Sequence, residues 1–136
     1  NENTPRQRGR SHQAERITTL ASTKTPMAIA DAFIRDAKAP VKLDSMFVED
    51  YTPNTTTIGT QRNVLVSYGT HYPLMFKTRA WVTQALLINR TKSTATTNRH
   101  IQGCILAALA NGYVNTYNQY EIDGMVFDVY LHMEVK

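Results

Sequence analysis

The dipeptide Asp123-Gly124, set between the apolar alternations Tyr113–Ile122 and Met125–Val135, is the feature that most constrains the fold of this chain. A two-residue turn of type I′ needs positive φ at both central positions. Asp tolerates that conformation and Gly adopts it without strain, so the dipeptide predicts a β-hairpin. A lone hairpin is barely stable in water and must extend a larger sheet or pack on helices. With 136 residues the chain is long enough for one domain and too short for two.

The rest of the chain supplies the hairpin's partners. Residues 1–25 show no apolar periodicity beyond Ile17 and Leu20 and read as a basic arm, leaving 26–136 as a single α+β domain. Thr25-Pro26 opens a helix, with Thr as N-cap and Pro at the first helical position. Met27, Ala30, Phe33, Ile34 and Ala37 then recur at helical spacing until Pro40, which predicts a helix over 26–38. Strands are predicted at Val41–Val48, Asn63–Gly69, Tyr72–Lys77 and Ala80–Asn89, with a threonine-rich loop over Glu49–Thr60 and a tight hairpin around Lys77–Arg79. Thr96-Thr97-Asn98 offers caps for a second helix, which carries Ile101, Cys104, Ile105, Ala108 and Leu109 on one face and stops at Asn111-Gly112. The order arm–α–β–β–β–β–α–β–β predicts an α+β fold, an antiparallel sheet of about five to six strands with two helices on one face.

Charge is unevenly distributed. From Tyr51 to Tyr120 there is no Asp or Glu, while Arg62, Lys77, Arg79, Arg90, Lys92 and Arg99 fall there. The net charge of +4 is therefore carried by this stretch and the arm, while residues 26–50 and 121–136 are acidic. Cations without local carboxylates predict a basic face, unless the acidic flanks fold over them.

The segment Arg90–His100 concentrates the chemistry. It places Arg90, Lys92, Arg99 and His100 around Thr96, Thr97 and Asn98 at a predicted helix start, where unpaired amides and the helix dipole favour an anion. Capping alone explains the Thr and Asn residues, but it predicts Asp or Glu in the first turn, and that turn is cationic. Lys77 and Arg79 would extend the phosphate-binding surface, and Arg6, Arg8 and Arg10, at alternate positions in the arm, would lie along a phosphate backbone. Tyr68, Tyr72, Phe76 and Trp81, with His71 among the cations, read either as a platform for stacking bases or as core beneath the helices.

Catalytic signals are few. Cys104 is the single cysteine, which excludes an internal disulfide framework and a multi-cysteine zinc site, and its place on the apolar helix face makes it a core residue. His12, His71, His100 and His132 are isolated, and Asp123 is explained by its turn. No glycine-rich phosphate loop or nucleophile elbow is present. The expectation is a non-enzymatic protein with no catalytic residues, no cofactor and no metal. No apolar run approaches the ~18 residues of a membrane-spanning helix, and Asn1–Arg10 lacks the apolar core of a secretory signal.

The polar, uncharged surface implied by 18 Thr and 9 Asn is typical of viral and extracellular β-rich proteins. Val64–Thr70 (VLVSYGT), Trp81-Val82-Thr83 and Lys92–Gln102 (KSTATTNRHIQ) together resemble a family of short bacteriophage-encoded proteins of unassigned function. In that family a strand ending in Ser-Tyr-x-Thr is followed by a Thr-Thr-x-(Lys/Arg)-His helix start. The long arm, the first helix and Ala95 within the threonine run depart from its pattern. The resemblance implies a phage origin and carries no activity. The α–β–β–β–α order of the first two-thirds also resembles double-stranded-RNA-binding domains in topology, without their lysine-rich signature.

These readings converge on a phage protein that binds nucleic acid, RNA or DNA, through the segment Arg90–His100 and the arm. A virion structural or assembly protein, its arm docked on neighbouring subunits of a homo-oligomer, is the alternative, and a small inhibitor of a host protein is a third. The expected location is the virion or the cytoplasm of an infected bacterium, with no membrane partner.

Overall fold

A computed structural model describes residues 23–54, 61–67, 72–80, 83–91 and 94–133. The chain runs α1 (Lys24–Ile34), β1 (Met46–Tyr51), β2 (Gln61–Ser67), β3 (Tyr72–Ala80), β4 (Thr83–Asn89), α2 (Ala95–Ala110), β5 (Tyr113–Ile122) and β6 (Met125–His132). The six strands form one antiparallel sheet in the order β1-β2-β3-β4-β6-β5. Both helices cover one face, which is the α+β fold expected.

The hairpin signal is realised as read. Asp123 and Gly124 have φ of +52° and +78°, the pair of positive values that a type I′ turn requires, and Ile122 pairs with Met125 across them. The boundaries of α1 differ from the sequence reading. The helix starts two residues earlier, after Thr23, so Pro26 falls inside the first turn, where its missing N–H is not needed. It ends at Ile34 rather than 38 because Asp36 turns left-handed at φ +54°. The Ala37 N–H then reaches back to the Ala32 carbonyl at 2.8 Å and the Asp36 N–H to Phe33 at 3.3 Å, a Schellman ending without its usual glycine.

Further boundaries move. β1 begins at Met46 rather than Val41, and it continues through Tyr51 into the segment read as loop. Lys77–Arg79 belongs to β3, which runs on to Ala80, so β4 starts at Thr83 rather than Ala80 and the two residues pair with each other. The second helix is capped by Thr94, two residues before the first expected cap, and stops at Asn111-Gly112 as expected.

Two hydrophobic clusters lie on opposite faces of the sheet. On the helix side Phe33, Leu65, Met75, Leu86, Ile88, Cys104 and Tyr130 are buried together. Burial pushes the Cys104 thiol far up, as befits a core residue. On the other side Val64, Val66, Phe76, Ile122 and Phe127 form a smaller core, with the Phe76 ring edge-on to Tyr51 and Phe127 at 5.8 and 5.3 Å. β1 and β5 are the two edges, yet the end of β1 meets the β5–β6 turn. The Tyr51 hydroxyl donates to Asp123 Oδ2 at 2.5 Å, and the Asn54 N–H donates to Oδ1 at 2.8 Å. Twist accumulated over six strands brings these elements together, so the sheet curls around the smaller core. Burial and the Asp123 carboxylate push the Tyr51 hydroxyl up to about 12.

The helices run in the same direction, since Pro26 lies against Gly103 and Asp31 reaches Asn111 at 2.7 Å. A methyl group on Gly103 would stand 2.7 Å from Pro26 Cβ and 2.8 Å from the Met27 nitrogen, so only glycine fits this approach.

Candidate functional site

The start of α2 is organised by hydroxyl groups. Thr94 Oγ1 accepts the Thr97 N–H at 3.1 Å, and its own proton goes to Thr97 Oγ1 at 3.1 Å. Thr97 Oγ1 lies 3.4 Å from Ser67 Oγ, which lies 2.8 Å from His100 Nδ1, while Ser45 Oγ stands 3.4 Å from Nε2. The direction Thr94 to Thr97 to Ser67 to His100 to Ser45 uses each proton once, with a neutral imidazole accepting at Nδ1 and donating at Nε2. Burial, aided by the neighbouring Arg99 charge, lowers the His100 pKa and keeps the ring neutral.

This network divides the residues singled out from sequence. Thr97 and His100 are buried and face the sheet. Thr96 and Asn98 are exposed, and Arg99, half-buried, extends along the surface to donate to Thr96 Oγ1 at 3.3 Å. Arg90 follows β4 and is exposed, its Nε 3.7 Å from Asp128 Oδ2. Its backbone is fixed by a 2.9 Å bond to the Val126 carbonyl, and the adjacent Thr91 Oγ1 accepts the Val126 N–H at 2.8 Å. Thr96, Asn98 and Arg99 thus lie in the first turn of α2, which holds no carboxylate, and Arg90 precedes the Thr94 cap by four residues. Lys92 lies outside the described residues, as do Arg6, Arg8, Arg10, His12, Tyr68, His71 and Trp81.

Lys77 and Arg79 do not join that group. Lys77 donates to the Phe33 carbonyl at 2.8 Å, pairs with the Asp36 carboxylate and stands 4.6 Å over the Phe33 ring. It therefore caps the carboxyl end of α1, which lies beside the carboxyl end of α2. The 16 residues of α2 extend about 24 Å, so Lys77 is remote from the start of that helix. Arg79, exposed two residues further along β3, is more remote still. Of the aromatics read as a stacking platform, Phe76 is core, and Tyr72, half-buried, donates its hydroxyl to the Thr91 carbonyl at 3.0 Å.

Sequence reasoning missed the partners that define these arrangements: Ser45, Ser67 and Thr94 in the network, Asp36 beneath Lys77 and Asp128 beside Arg90. Ser67 and His100 are 33 residues apart, and no local pattern marks their meeting. Only the alternation of β2, which places Ser67 on the same face as Leu65, contained part of that signal.

Comparison of the chain with known protein families, with curated proteins and with solved structures returns no match. Among the described residues no group of three His, Cys, Asp or Glu side chains comes together as metal ligands, and no helix is long and apolar enough to cross a membrane.

Proposed function

We propose that this chain is a non-enzymatic phage protein that holds a nucleic-acid backbone at the exposed start of α2, with Arg90, Thr96, Asn98 and Arg99 facing phosphate groups. The observation that carries the reading is the first turn itself: a helix start favours an anion, and this one presents Arg99 and no carboxylate to solvent. Its Thr96 hydroxyl and Asn98 amide add donors of the kind that phosphate oxygens accept. Lys92 and the arm residues Arg6, Arg8 and Arg10 would add sequence-independent affinity. His100 and Thr97 support the site from beneath by fixing the helix start on the sheet.

The test is fluorescence anisotropy of labelled RNA and DNA oligonucleotides titrated with the protein at several salt concentrations. Each neutralised phosphate should add about −0.7 to −0.9 to the slope of log affinity against log salt. Arg99→Ser and Arg90→Ser should each flatten that slope by about one contact. Affinity that does not change with salt would refute the reading. Purified protein that carries 260 nm absorbance at low salt, and loses it in a high-salt wash, would give the same answer sooner.

A further inference from the structure

Tyr130 is only 3% accessible, yet its hydroxyl proton has no acceptor among the described residues. The oxygen receives a single long bond, 3.5 Å, from Asn115 Nδ2. A buried donor without a partner is destabilising, and phenylalanine would fill the same space without it. Burial first, then the neighbouring Asp128 carboxylate, raises the Tyr130 pKa, so the hydroxyl keeps the proton and has it to give. The core supplies no reason for that hydroxyl.

Other polar groups converge on it. Asn115 faces Tyr130 across the β5–β6 pair, and its Oδ1 accepts the Tyr117 N–H at 2.8 Å, which turns Nδ2 toward Tyr130 and Asp128. Asp128 precedes Tyr130 by two residues on β6 and shares its face, with a side chain 14% exposed. Asn115 at 3.3 Å and Arg90 at 3.7 Å both approach Asp128 Oδ2, and Oδ1 accepts no hydrogen bond among the described residues. Asp128, Tyr117 and Arg90 all act electrostatically on the Tyr130 hydroxyl, so these groups surround one niche. The sheet opens beside it. Pairing of β5 with β6 lapses between Asn115 and Gln119, and Tyr117, held there at φ +64°, is 81% accessible.

The niche thus offers two donors 3.5 Å apart, the Tyr130 O–H and Asn115 Nδ2, beside one open carboxylate oxygen. A carbonyl oxygen, with two lone pairs, accepts both donors, and an N–H next to that carbonyl meets Asp128 Oδ1. A carbonyl adjoining a ring N–H is the edge of guanine, thymine and uracil. Adenine and cytosine present there a ring nitrogen with one lone pair and no ring N–H. A phosphate group is repelled by Asp128, whereas the exposed Tyr117 ring gives a flat base a stacking surface. Arg90 joins this niche to the α2 start, since it touches Asp128 and precedes the Thr94 cap by four residues. We propose that the niche receives the carbonyl and ring N–H of a keto base, guanine, thymine or uracil, from an unpaired strand whose phosphates lie at the α2 start. The inference rests on the backbone contact proposed above and adds which bases the strand must carry.

Anisotropy titrations of the full chain with oligo(dT) and oligo(dC) of equal length, at one low salt concentration, test this. The two strands share backbone and ring size and differ in the edge the niche would read. Wild type should bind oligo(dT) at least about fivefold more tightly. In Tyr130→Phe that ratio should fall to near unity while the urea midpoint holds or rises, because the lost hydroxyl donates to nothing in the free protein. Asp128→Asn should also lose the preference, yet bind both strands no more weakly, because Arg90 is released from its carboxylate. The readout is a ratio taken on one sample, so a partly unfolded variant does not imitate the loss. Equal wild-type affinities for the two strands, or a preference that survives in both variants, would overturn the proposal and leave salt-dependent backbone binding in place. Binding of neither strand would overturn both readings.

Discussion

At the amino-terminal end of α2 the Thr97 N–H meets the hydroxyl of Thr94 in its own segment, and the chain of bonds continues inward from Thr94 and Thr97 to Ser67 and His100. At the carboxyl-terminal end of α1 the Ala32 and Phe33 carbonyls accept the N–H groups of Ala37 and Asp36, and the Phe33 carbonyl also meets a cation from the middle of the sheet, Lys77, 44 residues away in sequence. One end is capped from within its own segment, the other both by its own segment and by a cation that only the fold brings to it. The difference bears on function. A cation drawn into capping a helix is no longer available to a partner, whereas a cation beside a helix start capped by its own hydroxyl is. Asp36 and Asp128, from the acidic flanks, reach Lys77 and Arg90, so the carboxylate-free stretch is less basic on its surface than its composition suggests.

The sharpest way to break both ends at once is to separate the helices that connect them. Gly103→Ala places a methyl group against the backbone of Pro26 and Met27, at distances that no rotamer change relieves. We expect a loss of about 3 kcal/mol in urea unfolding, at the upper end of the overpacking range. An unchanged midpoint would mean that α1 sits further from α2 than described.

Breaking the amino-terminal end alone should cost less and carry a pH signature. His100→Leu leaves the buried Ser67 hydroxyl without its imidazole partner, a loss of about 2 kcal/mol at neutral pH. The folded protein holds His100 neutral below its ordinary pKa of 6.5, so the unfolded chain takes up the proton first as pH falls. Wild-type stability from this residue is therefore complete above about 6.5 and declines as pH drops below it toward the lowered folded value. The wild-type minus variant difference in unfolding free energy should shrink over that window. A difference that stays constant with pH would refute the neutral, buried imidazole.

These two ends also explain what was legible in the sequence. The Asp123-Gly124 turn, the stop at Asn111-Gly112 and the burial of Cys104 follow from neighbours within a few residues, and each stands as read. The early end of α1 was hidden because nothing local marks Asp36 as left-handed. The ion pair with Lys77 and the Schellman bonds select that conformation in the folded chain. The sequence marks His100 and Thr97 at a helix start, but whether they face solvent or sheet depends on Ser67, which a helix start alone does not reveal. Charge groups Lys77 with Arg99 in the sequence, and only the strand order places it at the opposite end of the helix layer.

Breaking the carboxyl-terminal end alone gives a third, smaller effect. Lys77→Met keeps the aliphatic stem over Phe33 and removes the donor to its carbonyl. The expected loss is about 1 kcal/mol, the worth of one charge-assisted hydrogen bond at a half-buried site. It should depend little on salt, because the carbonyl contact, not the exposed Asp36 carboxylate, supplies most of it. A loss that salt abolishes would reverse that assignment.

The smallest effect distinguishes the two contributions of Asp36. Its carboxylate pairs with Lys77, and its backbone holds the left-handed position that ends α1. Asp36→Gly removes the first and relieves the second. The side chain is 81% exposed, so the pair is weak, a few tenths of a kcal/mol, whereas glycine at a left-handed helix end gains about as much or slightly more. The net change should therefore lie near zero, on the stabilising side, in a urea titration. Asp36→Asn, which tolerates the same φ but lacks the charge, isolates the pair. If Asn costs clearly more than Gly gains, the ion pair and not the backbone fixes the end of α1. The carboxyl-terminal end of the layer would then be held by charge alone, in fuller contrast to the hydroxyl-bonded end of α2.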